Sequence, residues 1–227
     1  MIKCDLHIHS KYSFDSLADP RKIVDYALKH GIQCIAIADH GNINGSVQAD
    51  KYAKTNSLPI FIIISQEVKS KSGDILALNI KESISEHLPP REAIARIHEQ
   101  GGFAIVAHPF GLWCNFKDNL ENYLDVIDGI EILNASVFKG NETAKAFAAK
   151  HNLAFTAGSD AHFANQFIGK TWLELPLDYS PSLTAGQVTA AIKEKKGTVG
   201  GDMASFLEKA IDHPLRSLTK LKALVKK

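Results

Sequence analysis

Two histidines one residue apart, His7 and His9 in the segment DLHIHS at 5–10, close an apolar run that begins at Ile2. Side chains two apart on a strand share a face, so both imidazoles can meet one cation without a loop to organise them. Alone, such a pair fits polar packing as well as metal binding. Its weight comes from the donors further along the chain. Asp15 stands in the next loop, and Asp39 and His40 come straight after the apolar CIAIA at 34–38. Glu67 ends the run IFIIISQE, His108 follows FAIVA at 103–107, and Asp160 with His162 forms a second i, i+2 pair after AFTAG at 154–158. A carboxylate at the edge of an apolar run is expensive unless a cation compensates it. Imidazole and carboxylate together suit zinc, manganese or iron, and a carboxylate such as Glu67 can bridge two ions. The pattern therefore reads as a multinuclear metal site.

The other five histidines, His30, His87, His98, His151 and His213, lie near helix ends or in polar helical stretches with no second donor at ligand spacing. They read as surface or capping residues. Asp5 and Asp39 each border a better donor and read as structural carboxylates able to hydrogen-bond a ligand imidazole.

For these donors to meet, their strands must end on one rim. Strand-like runs near 2–8, 34–39, 60–66, 74–80, 103–107, 129–133 and 154–158 alternate with amphipathic stretches over most of the chain. Asp19-Pro20 opens a first helix, with an N-cap and a proline at the first turn, and Gly31 stops it. Further helices are expected near 45–55, 90–100, 141–151 and 186–195. Seven strands with helices between them make an α/β barrel, closed or nearly so, of the kind that builds its sites at the C-terminal strand ends. No linker divides the chain, so a single domain over 1–227 is expected, with a C-terminal segment at 176–227 completing the barrel. Its lysine-rich end, 218–227, reads as a helix packed on the barrel with a solvated basic face.

With 45% hydrophobic and 22% charged residues, the composition is that of a globular protein, and no apolar run is long enough to span a bilayer. No secretory signal opens the chain, so a cytoplasmic location without membrane contact is expected. Lysine plus arginine number 26 against 25 aspartate plus glutamate, so nucleic acid is neither excluded nor supported by charge. Cys4, Cys34 and Cys114 form no CxxC pair and read as structural thiols.

DLHIHS at 5–10, ADHGN at 38–42, the strand-terminal Glu67, AHP at 107–109 and GSDAH at 158–162 resemble, in order, the successive motifs of the PHP (polymerase and histidinol phosphatase) family. The resemblance spans roughly residues 1–175. It implies a distorted (β/α)7 barrel holding two or three divalent metals and hydrolysing phosphoesters with a metal-activated hydroxide. Carried over by position, His7 and His9 with Glu67 and Asp160 would bind one metal, and Glu67 would bridge to a second held also by His108. Asp15, His40 and His162 would hold a third, and Glu67, Asp160 and His162 would be catalytic through the metal centre. Asp74 stands where many relatives place a histidine. Its harder oxygen shifts the expected preference toward manganese or iron over zinc.

The basic residues outside the tail are scattered among acids, which favours a small phosphorylated substrate over a long nucleic acid strand. A phosphodiesterase or exonuclease is the alternative. An amidohydrolase-type metal hydrolase also opens with HxH but wants a bridging lysine where Glu67 stands, and a non-catalytic metal-binding module is the third reading. Ser159, Lys170 and Asn134 are candidates to contact a phosphate or to orient ligands. Trp113, Phe110 and Phe116 either cover the entrance or serve the core.

Overall fold

Alternation along the first strand, β1 (Ile2–Ile8), sends Ile2, Cys4 and Leu6 to one buried apolar cluster and Ile8 to another. The switch comes from a register shift against β2 (Cys34–Ile37) between Asp5 and Ile8. Such a bulge re-aims a strand, and here it leaves His7 and His9 on the inner side where simple alternation from Leu6 would have turned them out. In the computed structural model, which describes residues 1–163, 167–205, 208 and 209, this strand is the hub of a nine-stranded sheet.

The helices and strands follow in the order α1 (Pro20–Lys29), β2, α2 (Asn44–Thr55), β3 (Phe61–Lys69), β4 (Asp74–Leu78), α3 (Pro90–Glu99) and β5 (Phe103–Val106). Then come β6 (Gly129–Asn134), α4 (Asn141–Lys150), β7 (Ala154–Gly158), β8 (Thr171–Leu175), α5 (Ala185–Lys193) and β9 (Thr198–Gly201). The sheet order is β7-β6-β5-β4-β3-β2-β1-β8-β9. It curls until Ala161, just past β7, bridges Ile8 in parallel, with Asp160 N–H donating to His7 O at 2.7 Å and His9 N–H to Ala161 O at 2.8 Å. The ring is thereby closed at the end where the candidate ligands stand.

An uninterrupted (β/α)7 alternation is not what the chain adopts. β3 and β4 form an antiparallel hairpin with no helix between them, and β4 is antiparallel to β5 as well. Nine strands and five α-helices are present among the described residues. β8 and β9 extend the sheet beyond β1 in antiparallel fashion. The reversal of β4 has a consequence for the site, because its first residue, Asp74, lands on the same rim as the last residue of β3.

Ile2, Cys4, Ala36, Ile63, Leu76, Ile105 and Leu133 fill the barrel, where Val188 and Ile192 of α5 pack against them. A second layer lies under α3 and α4, and a third under α1 and α2. Each fully buried Leu or Ile contributes about 1.5–3 kcal/mol, so the rim can carry polar groups without unfolding the barrel. The Asp19 side chain caps α1 by accepting from Arg21 N–H at 3.0 Å, as its sequence signature implies. No helix among the described residues is long and apolar enough to cross a membrane. The expected helix at 218–227 lies outside the described residues.

Candidate metal centre

Strand parity delivers the donors. On β3 the inner face carries Ile63, Ser65, Glu67 and Lys69 in turn, so the strand that packs the barrel ends in a carboxylate and an ammonium. His40 continues the inner parity of Cys34, Ala36 and Ala38. His108 and Asp160 stand where β5 and β7 break off, with φ of 29° and 52°. Non-glycine residues held at positive φ carry strain of about 1–3 kcal/mol and gather at functional sites.

Glu67 is the focus. Its Oε2 lies 3.3 Å from His7 Nε2, 3.1 Å from His9 Nε2 and 3.4 Å from His40 Nε2, while its Oε1 lies 3.1 Å from His108 Nε2. Asp160 Oδ1 stands 3.5 Å from His9 Nε2 and 3.8 Å from His7 Nε2. Asp15 Oδ2 faces His40 Nε2 at 3.6 Å and His162 Nε2 at 3.5 Å. Asp74 groups with Glu67 and His108, with donor atoms within 4.8 Å of one another. All nine residues singled out in the sequence thus converge. His7 is fully enclosed, and the other eight line one cavity of about 210 Å³.

The imidazoles are oriented from behind. His40 Nδ1 faces Glu67 O at 3.2 Å, His108 Nδ1 faces Cys114 O at 3.0 Å and His162 Nδ1 faces Asp160 O at 3.0 Å. A carbonyl only accepts, so each Nδ1 carries a proton, which leaves Nε2 as the nitrogen that can offer a lone pair to a cation. For His7 the acceptor is Glu131 Oε1, 3.1 Å from Nδ1. The other Glu131 oxygen accepts from His108 N–H at 2.9 Å and from Asn134 Nδ2 at 3.0 Å. Glu131 is a buried partner of the cluster that strand-end patterning does not pick out, although a lone carboxylate inside GIEILN, on a strand buried throughout, is a visible signal.

Asp5 and Asp39 are structural but do not touch an imidazole. Asp5 accepts from Ser159 N–H at 2.8 Å and Gly169 N–H at 2.9 Å, tying the segment after β7 to β1. Asp39, on the outer parity of β2, accepts from Ser10 N–H and Ser10 Oγ, both at 2.6 Å. None of Ser159, Lys170 and Asn134 lines the cavity: Ser159 is enclosed, Lys170 pairs with Glu208 at 2.8 Å, and Asn134 supports Glu131. Trp113, 70% exposed, stands at the mouth edge-on to Phe138, whereas Phe116 belongs to the core and Phe110 packs on Phe147. The cavity's lysine is Lys69, which the sequence pattern alone does not single out. His30, His87, His98 and His151 lie away from the cavity, and His213 is outside the described residues.

In the protein alone, protons supply the positive charge. Burial pulls the His9 imidazole down, but Asp160 and Glu67 outweigh it and raise it to about 9. His7 rises likewise against its burial, through Glu67, Glu131 and Asp160. Burial would raise Glu67 and Asp15, yet the surrounding histidines hold both well below the carboxylate range. His40 goes the other way, lowered to about 4 chiefly by burial. Nε2 lone pairs and carboxylate oxygens pointing at common centres form a donor set that fits divalent ions such as zinc, manganese or iron.

Fold and site together define an α/β barrel whose strand ends build a buried imidazole–carboxylate cation site. The PHP domain model matches residues 5–165 and a PHP-associated model matches residues 139–196. The chain belongs to the PHP domain family. It is 38% identical over 144 residues, 59% of its length, to an uncharacterized protein of Methanocaldococcus jannaschii, 82% of which is covered. Its fold is similar to that of a two-domain protein from Bacteroides vulgatus containing a predicted PHP-like metal-dependent phosphoesterase. There the TM-score is 0.73 at 19% identity, and the match covers 88% of this chain and 65% of that one. It is also similar to the lesion-specific endonuclease PfuEndoQ from Pyrococcus furiosus, with a TM-score of 0.62 at 21% identity over 85% of this chain and 56% of that one. This chain thus spans less than two thirds of either structure.

Proposed function

We propose that the protein is a metal-dependent phosphoesterase that hydrolyses a small phosphomonoester. The observation that carries the reading is the back-anchoring of His7, His40, His108 and His162 through Nδ1, which turns four Nε2 atoms toward the carboxylates of Glu67 and Asp15. In this reading His7, His9, Glu67 and Asp160 hold one divalent ion, and His108, Glu67 and Asp74 hold a second. Asp15, His40 and His162 hold a third. Such ions neutralise charge on a phosphoryl group and make water nucleophilic at neutral pH.

The chain's own part is orientation and enclosure. Glu67 splits its oxygens between His108 on one side and His7, His9 and His40 on the other, so it sets the spacing of the two halves. Asp160 and His162, on the segment that closes the barrel, fix the third side through the bond from His162 Nδ1 to Asp160 O. Leu112, Trp113 and Phe138 wall the mouth and limit access of bulk water. A cavity of about 210 Å³ with one lysine and no arginine in its lining, among the described residues, suits a small ester better than a polynucleotide track.

The test is turnover of a panel of phosphomonoesters and dinucleotides by purified protein supplied with manganese, zinc or iron, alongside metal content by mass spectrometry. Monoester turnover with two or three ions per chain supports the reading. Faster cleavage of dinucleotides would assign the protein to phosphodiesters instead, and no turnover by metal-loaded protein would refute catalysis.

A further inference from the structure

Lys69 is the one lysine or arginine that lines the cavity among the described residues, and it stands among the carboxylates of Asp15, Glu67, Asp74 and Asp160. It shares the inner face of β3 with Glu67, two residues earlier, and lies directly across the hairpin from Asp74. Its Nζ is 3.4 Å from both Asp74 oxygens, the loose end of the hydrogen-bond range, and 6.0 Å from the centre of the Phe14 ring. The backbone beneath is firmly held, with Lys69 N–H donating to Glu86 Oε2 at 2.9 Å. A side chain rooted in a strand, loosely paired at its tip and facing the cavity can turn from one anion to another.

The geometry points to Lys69 as the specificity-determining residue of this site, recognising the terminal phosphoryl group of a monoester with Asp74 as its resting partner. This rests on the phosphoesterase reading and names the charge state it selects. A monoester presents three terminal oxygens and up to two charges near neutral pH, whereas a diester presents two oxygens and one charge. An ammonium is a compact point charge with three donors, so its interaction grows with the charge and number of oxygens it meets. The competing role is structural, in which Lys69 only neutralises Asp74. In that case its loss would disturb cation uptake and affect both ester classes alike.

The experiment compares wild type, Lys69→Met and Lys69→Arg on p-nitrophenyl phosphate and bis(p-nitrophenyl) phosphate, with inorganic phosphate binding by calorimetry and metal content by mass spectrometry. For Lys69→Met we expect KM for the monoester and Kd for phosphate to rise about 10- to 100-fold, as for loss of a hydrogen bond to a charged group. The diester KM rises several-fold less than the monoester KM, the metal content stays unchanged, and Lys69→Arg recovers part of the phosphate binding. Equal changes for both esters, an unchanged phosphate Kd or an altered metal content would overturn the assignment. If metal-loaded wild type hydrolyses neither ester, the phosphoesterase reading fails, while the phosphate calorimetry still decides for or against Lys69 as an anion-recognising residue.

Discussion

Glu131→Gln isolates the support behind His7 without altering any of the nine residues assigned to the metal centre. The carboxylate is buried and serves three donors: His7 Nδ1 on one oxygen, and His108 N–H with Asn134 Nδ2 on the other. Glutamine keeps the shape but offers one acceptor. If that oxygen turns to His108 and Asn134, the new amide N–H faces His7 Nδ1, and the imidazole must carry its proton on Nε2, the atom facing Glu67 and His9. A protonated Nε2 cannot bind a cation. If the oxygen turns to His7 instead, two enclosed N–H groups face an amide N–H, at about 1–3 kcal/mol for each unmade bond. Metal binding needs the Nε2 lone pair and so forces the second arrangement, which penalises the metal-loaded state relative to the metal-free one by about 1.4–2.7 kcal/mol; divalent metal affinity should fall ~10- to 100-fold, as is typical when the partner behind a ligand imidazole is lost. Titration calorimetry of zinc or manganese into metal-stripped wild type and Glu131→Gln measures this, with circular dichroism to show that the fold is kept. Imidazole nitrogen NMR shifts read the tautomer directly. Unchanged affinity, with the His7 proton on Nδ1 in both proteins, would refute the reasoning.

Three further expectations concern the frame of the site. Burial lifts the Asp5 carboxyl from 3.8 to about 6, against the pull of Ser159 and Gly169. A carboxyl raised by folding stabilises most when protonated, so its contribution is full below its unfolded pKa and is lost as pH rises through the folded one. Wild type should therefore lose about 2 kcal/mol relative to Asp5→Asn between pH 4 and pH 7 in urea titrations, and a constant difference would contradict this. Gly45→Ala should destabilise by about 1–3 kcal/mol, although alanine is intrinsically the better helix former, because the added methyl would overlap Asp39 Oδ2 and Ser10 Oγ. An unchanged or higher melting temperature would show that the Ser10–Asp39 contact yields freely. Stripping the protein with a chelator should lower its melting temperature and readdition of manganese or zinc should restore it, by about 2.7 kcal/mol at a hundredfold excess over Kd; a melting temperature indifferent to metal would argue against a resident ion.

Strand ends are the part of this molecule most legible in its sequence, because each donor follows an apolar run long enough to be recognised as core. His7, His40, Glu67, His108 and Asp160 stand out for that reason. Features that depend on pairing between distant segments are hidden. The bulge in β1 is a matter of register against β2, and nothing within IKCDLHI announces it. The apolar run at 74–80 reads the same whichever way it points, so neither the hairpin with β3 nor the absence of an intervening helix is visible. β8 escapes notice even though TWLEL alternates buried and half-buried positions, and β9, rich in glycine, carries the composition of a loop. Lys69 looks like one more scattered charge until its strand parity places it beside Glu67.

The way the imidazoles are held argues for unequal sensitivity within the site. His40, His108 and His162 lean on backbone carbonyls, which do not titrate and move only with the fold. His7 leans on a carboxylate whose second oxygen also fixes the backbone N–H of His108. One side chain on β6 therefore couples the first strand to the fifth, and both to Glu67 on the third. On the proposed three-ion reading, orientation by backbone would give the third ion position independence from its neighbours, whereas orientation by Glu131 would make the positions shared by His7, Glu67 and His108 rise and fall together. On that reading, perturbations at Glu131 should weaken two of the proposed ions at once and spare the one assigned to Asp15, His40 and His162, a pattern that metal stoichiometry can resolve.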